Sequence, residues 1–104
     1  MPDKVLAMLG LAAKAGKVQS GEYQTEHAVK SRKAYLVVVA EDASENTKKM
    51  CKDMCSFYKT KLIFYGSKES LGHSIGREYR ASLAITDQNL ARLVLKKLEQ
   101  TTTE

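Results

Sequence analysis

The chain has 104 residues, which is the size of one domain and leaves no room for a catalytic domain beside a binding domain. Lysine and arginine number 17 against 12 acidic residues, and the formal net charge of +5 is compatible with a nucleic-acid partner or with a merely solubilising surface. No apolar run is long enough to cross a membrane and the N-terminal segment lacks a signal-peptide pattern, so we expect a cytoplasmic protein with reduced cysteines.

Helical and extended patterns alternate along the chain. In order, we expect a helix over 3–15, a strand or linker over 17–20, a helix from the Gly21 turn to residues 30–33, a strand over 34–40, a helix over 44–58, a strand over 61–65, a short helix over 68–75, a strand over 81–86 and a last helix after Asp87. Residues 101–104 are expected to be frayed, which makes 1–100 a single domain. The pattern alone predicts a mostly parallel sheet with helices on both faces.

The segment over 33–42 is the most informative of these patterns. Its Val-rich run is typical of a strand that is covered on both faces, and Glu41 and Asp42 follow directly. Open α/β sheets build their sites at the carboxyl ends of strands. The two acids therefore mark either a functional carboxylate pair or only the start of the next helix. Inward-facing positions on the flanking helices are predicted at Thr25, Ala28, Val29, Leu90, Leu93, Val94 and Leu98.

Motifs for catalysis or metal binding are weak. Cys51 and Cys55 lie four apart on the third helix, and the two histidines lie in other elements, so core packing explains the thiols better than a metal site does. The segment Gly72–Gly76 resembles a phosphate loop only faintly, since it lacks the GK[ST] ending, and a tight turn beside a small helix explains it better. We therefore expect no enzyme activity and no cofactor.

Basic residues cluster in three places: 30–33, 48–52 and 77–80. The first and third clusters fall at the ends of predicted elements, where cations can position phosphates. The second falls along a helix face and is typical of ordinary solvated surface.

Four segments in this order resemble one family. They are LGLAAKAGKVQSGE, KAYLVVVAEDAS, LGHSIGR and ASLAITD. Together they resemble the kink-turn-binding ribosomal proteins of the L7Ae/L30e family, and are closest to its small bacterial YlxQ-type members. The resemblance implies a three-layer α/β/α sandwich with a four-stranded mixed sheet. It also implies RNA binding, to a kink-turn or another structured RNA such as ribosomal RNA, by a monomer with the ribosome as a candidate partner.

The resemblance also assigns residues. The second helix would enter the RNA groove by its N-terminus, Glu41 would meet a flipped-out base, and the loop over 77–82 would set target preference. The full set of implied RNA contacts is Gly21, Gln24, Thr25, His27, Lys30, Arg32, Lys33, Glu41, Arg77, Tyr79 and Arg80.

This chain departs from the family signature within the second helix. Tyr23 stands where the family has Asn, Gln24 where it has Glu, and His27 where it has Lys; the family's Arg–Gly pair falls on Ser31 and Arg32. These changes leave open a standard kink-turn, a different or weaker RNA site, or a fold turned to protein partners. A protein-interaction module is therefore the alternative to RNA binding, and a recognition domain of an RNA enzyme is a third class.

Overall fold

The computed structural model describes residues 3–102, and within this range helices and strands alternate as the sequence predicts. The helices are α1 (Lys4–Lys14), α2 (Glu22–Lys30), α3 (Glu45–Tyr58), α4 (Lys68–Ser74) and α5 (Gln88–Thr102). The strands are β1 (Val18–Ser20), β2 (Leu36–Val39), β3 (Lys61–Phe64) and β4 (Ser82–Ile85). Residues 101 and 102, which the sequence predicts to be frayed, continue α5, and residues 103 and 104 lie outside the described range.

The four strands form one mixed sheet in the order β1-β4-β2-β3. Within the described residues, β2 and β3 are the one pair of neighbouring strands that is parallel, because β4 runs antiparallel to both of its neighbours, β1 and β2. The prediction of a mostly parallel sheet, made from the alternation of elements, is therefore wrong. The mixed sheet that the family resemblance implies is confirmed. A run of buried residues reads the same in either strand direction, so the pattern carries no information on direction.

The core lies on both faces of the two central strands. Every residue of β2 and β4 is buried. Helices α2 and α3 pack together in one layer, and α1 packs with α4 and α5 in the other, which gives the expected three-layer sandwich. Cys51 and Cys55 belong to this core as free thiols, as predicted. Leu93, predicted to be buried, is 42% exposed, whereas Val94 is buried as predicted and Ala91 is buried as well.

Helices α1, α2 and α3 all begin at one end of the sheet and finish at the other. The loop end is where β1 finishes at Ser20, β2 finishes at Val39 and β4 begins at Ser82. The opposite end, the basic end, is where β1 begins after Lys17 and β4 finishes at Ile85. Because α2 has nine residues, it separates the two ends by roughly 13 Å.

Asp3 and Ser44 begin two of these helices at the loop end. The Asp3 carboxylate accepts from the Leu6 N–H at 3.0 Å, and the Ser44 hydroxyl accepts from the Thr47 N–H at 3.1 Å. Both side chains satisfy amides that a helix start leaves without a partner in the helix. Among residues 3–102, no helix is both long and apolar enough to cross a membrane.

Candidate nucleic-acid interface

Four separate loops meet at the loop end through backbone hydrogen bonds. The Gly21 N–H donates to the Ser82 carbonyl at 3.0 Å, which joins the start of α2 to the start of β4. The Ala40 N–H donates to the Ala81 carbonyl at 2.9 Å, and the Glu41 N–H donates to the Gly66 carbonyl at 2.8 Å. These bonds place Gly21, Glu41 and the loop before β4 side by side, as the family resemblance implies.

Gly21 caps α2 in a conformation that glycine alone adopts easily. Its φ is +96°, and no side chain accepts a hydrogen bond at the cap. The first amides of α2 therefore face outwards at the loop end without a side-chain partner. A helix start of this kind attracts phosphate oxygens through its open N–H groups and its dipole.

Arg80 fastens the loop over 75–81 to the start of α2. Its Nε donates to the Ser20 Oγ at 3.1 Å, and its guanidinium also donates to the Tyr79 carbonyl at 2.7 Å. Its backbone N–H donates to the Lys68 carbonyl at 3.0 Å. The guanidinium thus lies beside Gly21 in a fixed position, with N–H groups left over for a ligand.

Gly72 lets the same loop lie directly on α4. A Cβ at this position would overlap the carbonyl oxygen of Glu78, so any side chain would push the loop away. The segment Gly72–Gly76 is therefore a helix and its end, as predicted, and Gly72 positions the loop. The loop carries Tyr79 with 63% of its surface exposed, and Arg77 is exposed as well.

The two acids after β2 have different roles. Asp42 Oδ1 accepts from the Lys68 N–H at 2.8 Å, so this carboxylate fastens the start of α4. Glu41 is exposed at the loop end, and its oxygens are suited to accept from amino groups on base edges. The Tyr65 hydroxyl donates to Asp3 Oδ2 at 2.6 Å. Burial, which is the larger cause, and this hydrogen bond together raise the pKa of Tyr65 to about 12.

The exposed side of α2 carries the departures from the family signature. Tyr23 is 72% exposed and stacks in parallel with His27, with ring centroids 6.3 Å apart. Gln24, His27 and Lys33 line a surface cleft of about 190 Å³ together with Gln19 of the edge strand β1. This cleft runs along α2 from the loop end towards the basic end. Gln19 lies outside the set of contacts that the family resemblance implies, although the alternation of a short strand already predicts that its side chain is exposed.

Thr25 does not belong to the interface. It is 1% exposed, and its hydroxyl accepts from the Ser82 Oγ at 3.3 Å inside the core. The family resemblance places Thr25 among the RNA contacts, but the helical period turns it inwards. Its hydroxyl joins α2 to β4, and its burial keeps it away from an RNA at this surface.

Lys30, Arg32 and Lys33 lie at the opposite end of α2 from Gly21. Lys30 is paired with Glu26 at 2.9 Å, and this hydrogen-bonded pair raises the pKa of Lys30. Arg32 has φ +60°, and its guanidinium lies 5.6 Å from the centre of the Tyr58 ring. The predicted contact residues therefore form two groups, and a single compact site does not include both.

The thiols of α3 are not part of either group. Cys51 and Cys55 are 2% and 3% exposed, and burial raises the pKa of Cys55 to about 11. Within the described part of the chain, no cluster of histidine, cysteine and acidic side chains has the arrangement of a metal site.

Comparison with known proteins decides the family. The sequence profile of the ribosomal protein L7Ae/L30e/S12e/Gadd45 family matches residues 3–95. The chain belongs to this family. The RNA-binding protein YlxQ of Bacillus subtilis is 41% identical over 92 residues, which cover 88% of this chain and 92% of that protein. The YlxQ protein of Enterococcus faecium is 36% identical over 97 residues, which cover 93% of each chain.

Two solved structures share the fold. A protein of unknown function from Bacillus halodurans superposes with a TM-score of 0.90 at 32% identity, covering 94% of this chain and 99% of that one. The 15.5 kD RNA-binding protein of Giardia lamblia superposes with a TM-score of 0.78 at 20% identity, covering 96% and 86%. The fold and the resemblance to YlxQ-type members, both expected from the sequence, are confirmed. The curated relatives are named as RNA-binding proteins and not as enzymes, in agreement with the expectation of a non-catalytic chain.

Proposed function

We propose that this chain is a non-catalytic RNA-binding protein that takes a kink-turn, or a similarly bent element of a structured RNA such as ribosomal RNA, at its loop end. The observation that carries the proposal is the hydrogen bonding of the loop before β4 to both the Gly21 turn and the turn that presents Glu41, through Ser82, Arg80 and Ala81. Family membership and the YlxQ relatives, which are RNA-binding proteins, support RNA as the ligand. We further propose a cytoplasmic, monomeric protein with one domain over residues 1–100, and the ribosome as its candidate assembly.

The loop end offers a distinct contact to each part of a bent RNA. The open amides at the start of α2 and the Arg80 guanidinium would hold phosphates, since both are donors in fixed positions. Glu41 would accept from the amino groups of an extruded base, and Tyr79 would offer that base a stacking face. Proteins read RNA where bases are splayed out rather than in the deep major groove, so these contacts suit a bend better than a regular duplex.

Tyr23, Gln24 and His27 replace the family's polar and basic residues on the groove-facing side of α2. The exposed Tyr23 ring supplies stacking in place of an amide, and Gln24 keeps both a donor and an acceptor for base edges. We therefore expect kink selectivity to persist through different contacts on this helix.

Titration of a kink-turn RNA and a sequence-matched straight duplex across a salt series tests the proposal. We expect tighter binding of the kinked RNA at every salt concentration. If about four phosphates are neutralised, the slope of log K against log salt should be near −3 to −4. Weak and equal binding of both RNAs would contradict the proposal.

A protein-interaction role is the second candidate, and one observation favours it. A groove of about 560 Å³ lies between α1 and α4, and most of its exposed lining is apolar surface, to which Leu6 and Leu11 contribute. Leu11 is 55% exposed there. If this role is correct, the purified protein should hold a defined protein complex in high salt and carry no nucleic acid.

A further inference from the structure

The charges of the molecule are divided between the two ends of the sheet. Exposed cations gather at the basic end, namely Lys17, Lys30, Arg32, Lys33 and Lys59. The loop end instead carries Glu22, Glu41, Asp42 and Glu78 beside Arg77 and Arg80. Phosphate neutralisation is needed for RNA affinity, and most of the exposed cations near α2 lie away from the loops that would read the bend.

The cations of the basic end form one continuous surface. Arg32 lies over Tyr58, which directly precedes Lys59 at the end of α3. Lys33 lines the same cleft as Gln19, two residues after Lys17 in β1. The surface therefore extends from β1 across the end of α2 to the end of α3.

Few acids offset these cations. Glu26 is paired with Lys30 at 2.9 Å, which leaves the other four cations of the surface without that carboxylate. Asp87 also lies at this end, where its Oδ1 accepts from the Leu90 N–H at 2.9 Å to start α5. The five cations outnumber these two carboxylates, so the surface carries a net positive charge.

Two of the cations occupy positions that favour glycine. Within residues 3–102, Arg32 and Lys59 are the non-glycine residues with positive φ, at +60° and +57°. Each follows the last turn of a helix, where glycine adopts the left-handed conformation without strain. When strained backbone carries an exposed, charged side chain, the strain points to a function for that side chain.

We propose that the basic end is a second RNA-contacting surface, which binds the phosphate backbone of a helical arm while the loop end holds the bend. The two ends lie roughly 13 Å apart along α2, and the Debye length at physiological salt is about 8 Å. The cations of the basic end therefore interact only weakly with phosphates that are bound at the loop end. To contribute to RNA affinity, they must contact other phosphates of the same RNA. The partner is RNA on the strength of the proposed function, but the surface itself recognises only backbone charge.

The test uses a straight RNA duplex without internal loops, titrated by fluorescence anisotropy across a salt series. In the double variant Arg32→Gly/Lys59→Gly, we expect the affinity for the duplex to fall at least about tenfold and the salt slope to fall by about two. The midpoint of urea unfolding should rise in the same variant because the strain is removed. A gain in stability together with a loss of RNA affinity is the signature of the proposal.

The matched control is Lys49→Ala/Lys96→Ala, which removes two exposed cations from the helix faces of α3 and α5. It should keep the duplex affinity of the parent within about twofold. Equal losses of duplex affinity in both double variants would mean that only the net charge of the protein matters, and would overturn the proposal. Unchanged duplex binding in Arg32→Gly/Lys59→Gly would overturn it as well, and would leave these cations the role of complementing the negative ends of the helix dipoles.

Failure of the proposed function can be distinguished from failure of the second surface. If the parent protein binds the kink-turn RNA no better than the straight duplex, selectivity at the loop end is absent, and the comparison of the two double variants on the duplex still decides the role of the basic end. If the parent fails to bind the duplex at any salt concentration, the second surface is refuted even where kink-turn binding is tight.

Discussion

The two ends of the sheet are built in different ways from the same strands and helices. At the loop end, backbone hydrogen bonds and the anchored Arg80 hold three loops in fixed positions around Gly21. At the basic end, helices finish in exposed cations, and two of these occupy strained backbone. The loop end therefore offers a fixed shape, and the basic end offers positive charge. A structured RNA needs both, since its bend must be positioned and its phosphates must be neutralised.

Gly72 offers the strongest way to break the loop end alone. In Gly72→Ala the new Cβ overlaps the Glu78 carbonyl, so the loop over 75–81 must move. We expect a loss of roughly 1–3 kcal/mol in the free energy of unfolding, together with loss of kink selectivity. Urea unfolding and paired RNA titrations measure the two effects. His73→Ala, at an exposed position on the same helix, is the control and should change neither.

Arg80 tests how closely structure and binding are linked at the loop end. Arg80→Ala should weaken kink-turn binding by roughly 1–3 kcal/mol, the range for a hydrogen bond to a charged group. Because Arg80 also donates to Ser20 and Tyr79, we expect a stability loss of about 1 kcal/mol. Titration and urea unfolding measure both quantities.

Ser20→Ala separates the two roles of Arg80. It removes the hydroxyl that anchors the guanidinium while keeping the charge. We expect a small loss of stability and a smaller loss of affinity than in Arg80→Ala. Affinity that stays at the parent level in Arg80→Ala would show that Arg80 is only a structural link.

Arg32 sharpens the comparison from the other end. Arg32→Gly should raise the free energy of unfolding by about 1 kcal/mol, since glycine adopts φ +60° without strain. Urea unfolding is the measurement. Lys30→Gly, inside the last turn of α2, is the opposite control and should lower stability by about 1 kcal/mol. A loss of stability in Arg32→Gly would mean that the contact with Tyr58 outweighs the strain.

Tyr65 gives the smallest expected effect, a dependence of stability on pH. Its pKa is raised from 10.0 to about 12, so the folded state holds the phenolic proton more tightly than the unfolded state does. This stabilisation is complete below pH 10 and is lost as the pH rises towards 12. Tyr65→Phe should therefore lose less stability than the parent between pH 10 and 12 in urea unfolding. Tyr35→Phe, at an exposed tyrosine of the basic end, should behave like the parent.

The order of elements could be predicted from the sequence, because helix caps and apolar periods are local signals. Asp3, Ser44 and Gly16 mark helix ends that the structure reproduces. Strand direction could not be predicted from the pattern, since the buried run of β4 is the same in a parallel and an antiparallel sheet. The family resemblance supplied that information.

The candidate site was predictable in part. Gly21, Glu41 and Arg80 lie at the same end of the sheet, as the resemblance implies. The helical period predicts that Thr25 faces inwards, and the length of α2 separates Gly21 from Lys33, so the sequence itself argued against one site that includes all of these residues. The left-handed backbone at Arg32 could be anticipated only from the glycine that the family resemblance implies at this position.

The most direct measurement is a map of backbone amide shifts, recorded by NMR as a kink-turn RNA is added. We expect the largest changes at Gly21, Tyr23, Glu41 and Arg80, with smaller changes at Arg32 when the RNA carries a longer helical arm. Changes confined to the groove between α1 and α4, or to the basic end with the loop end unaffected, would contradict the claim that the loop end reads the bend.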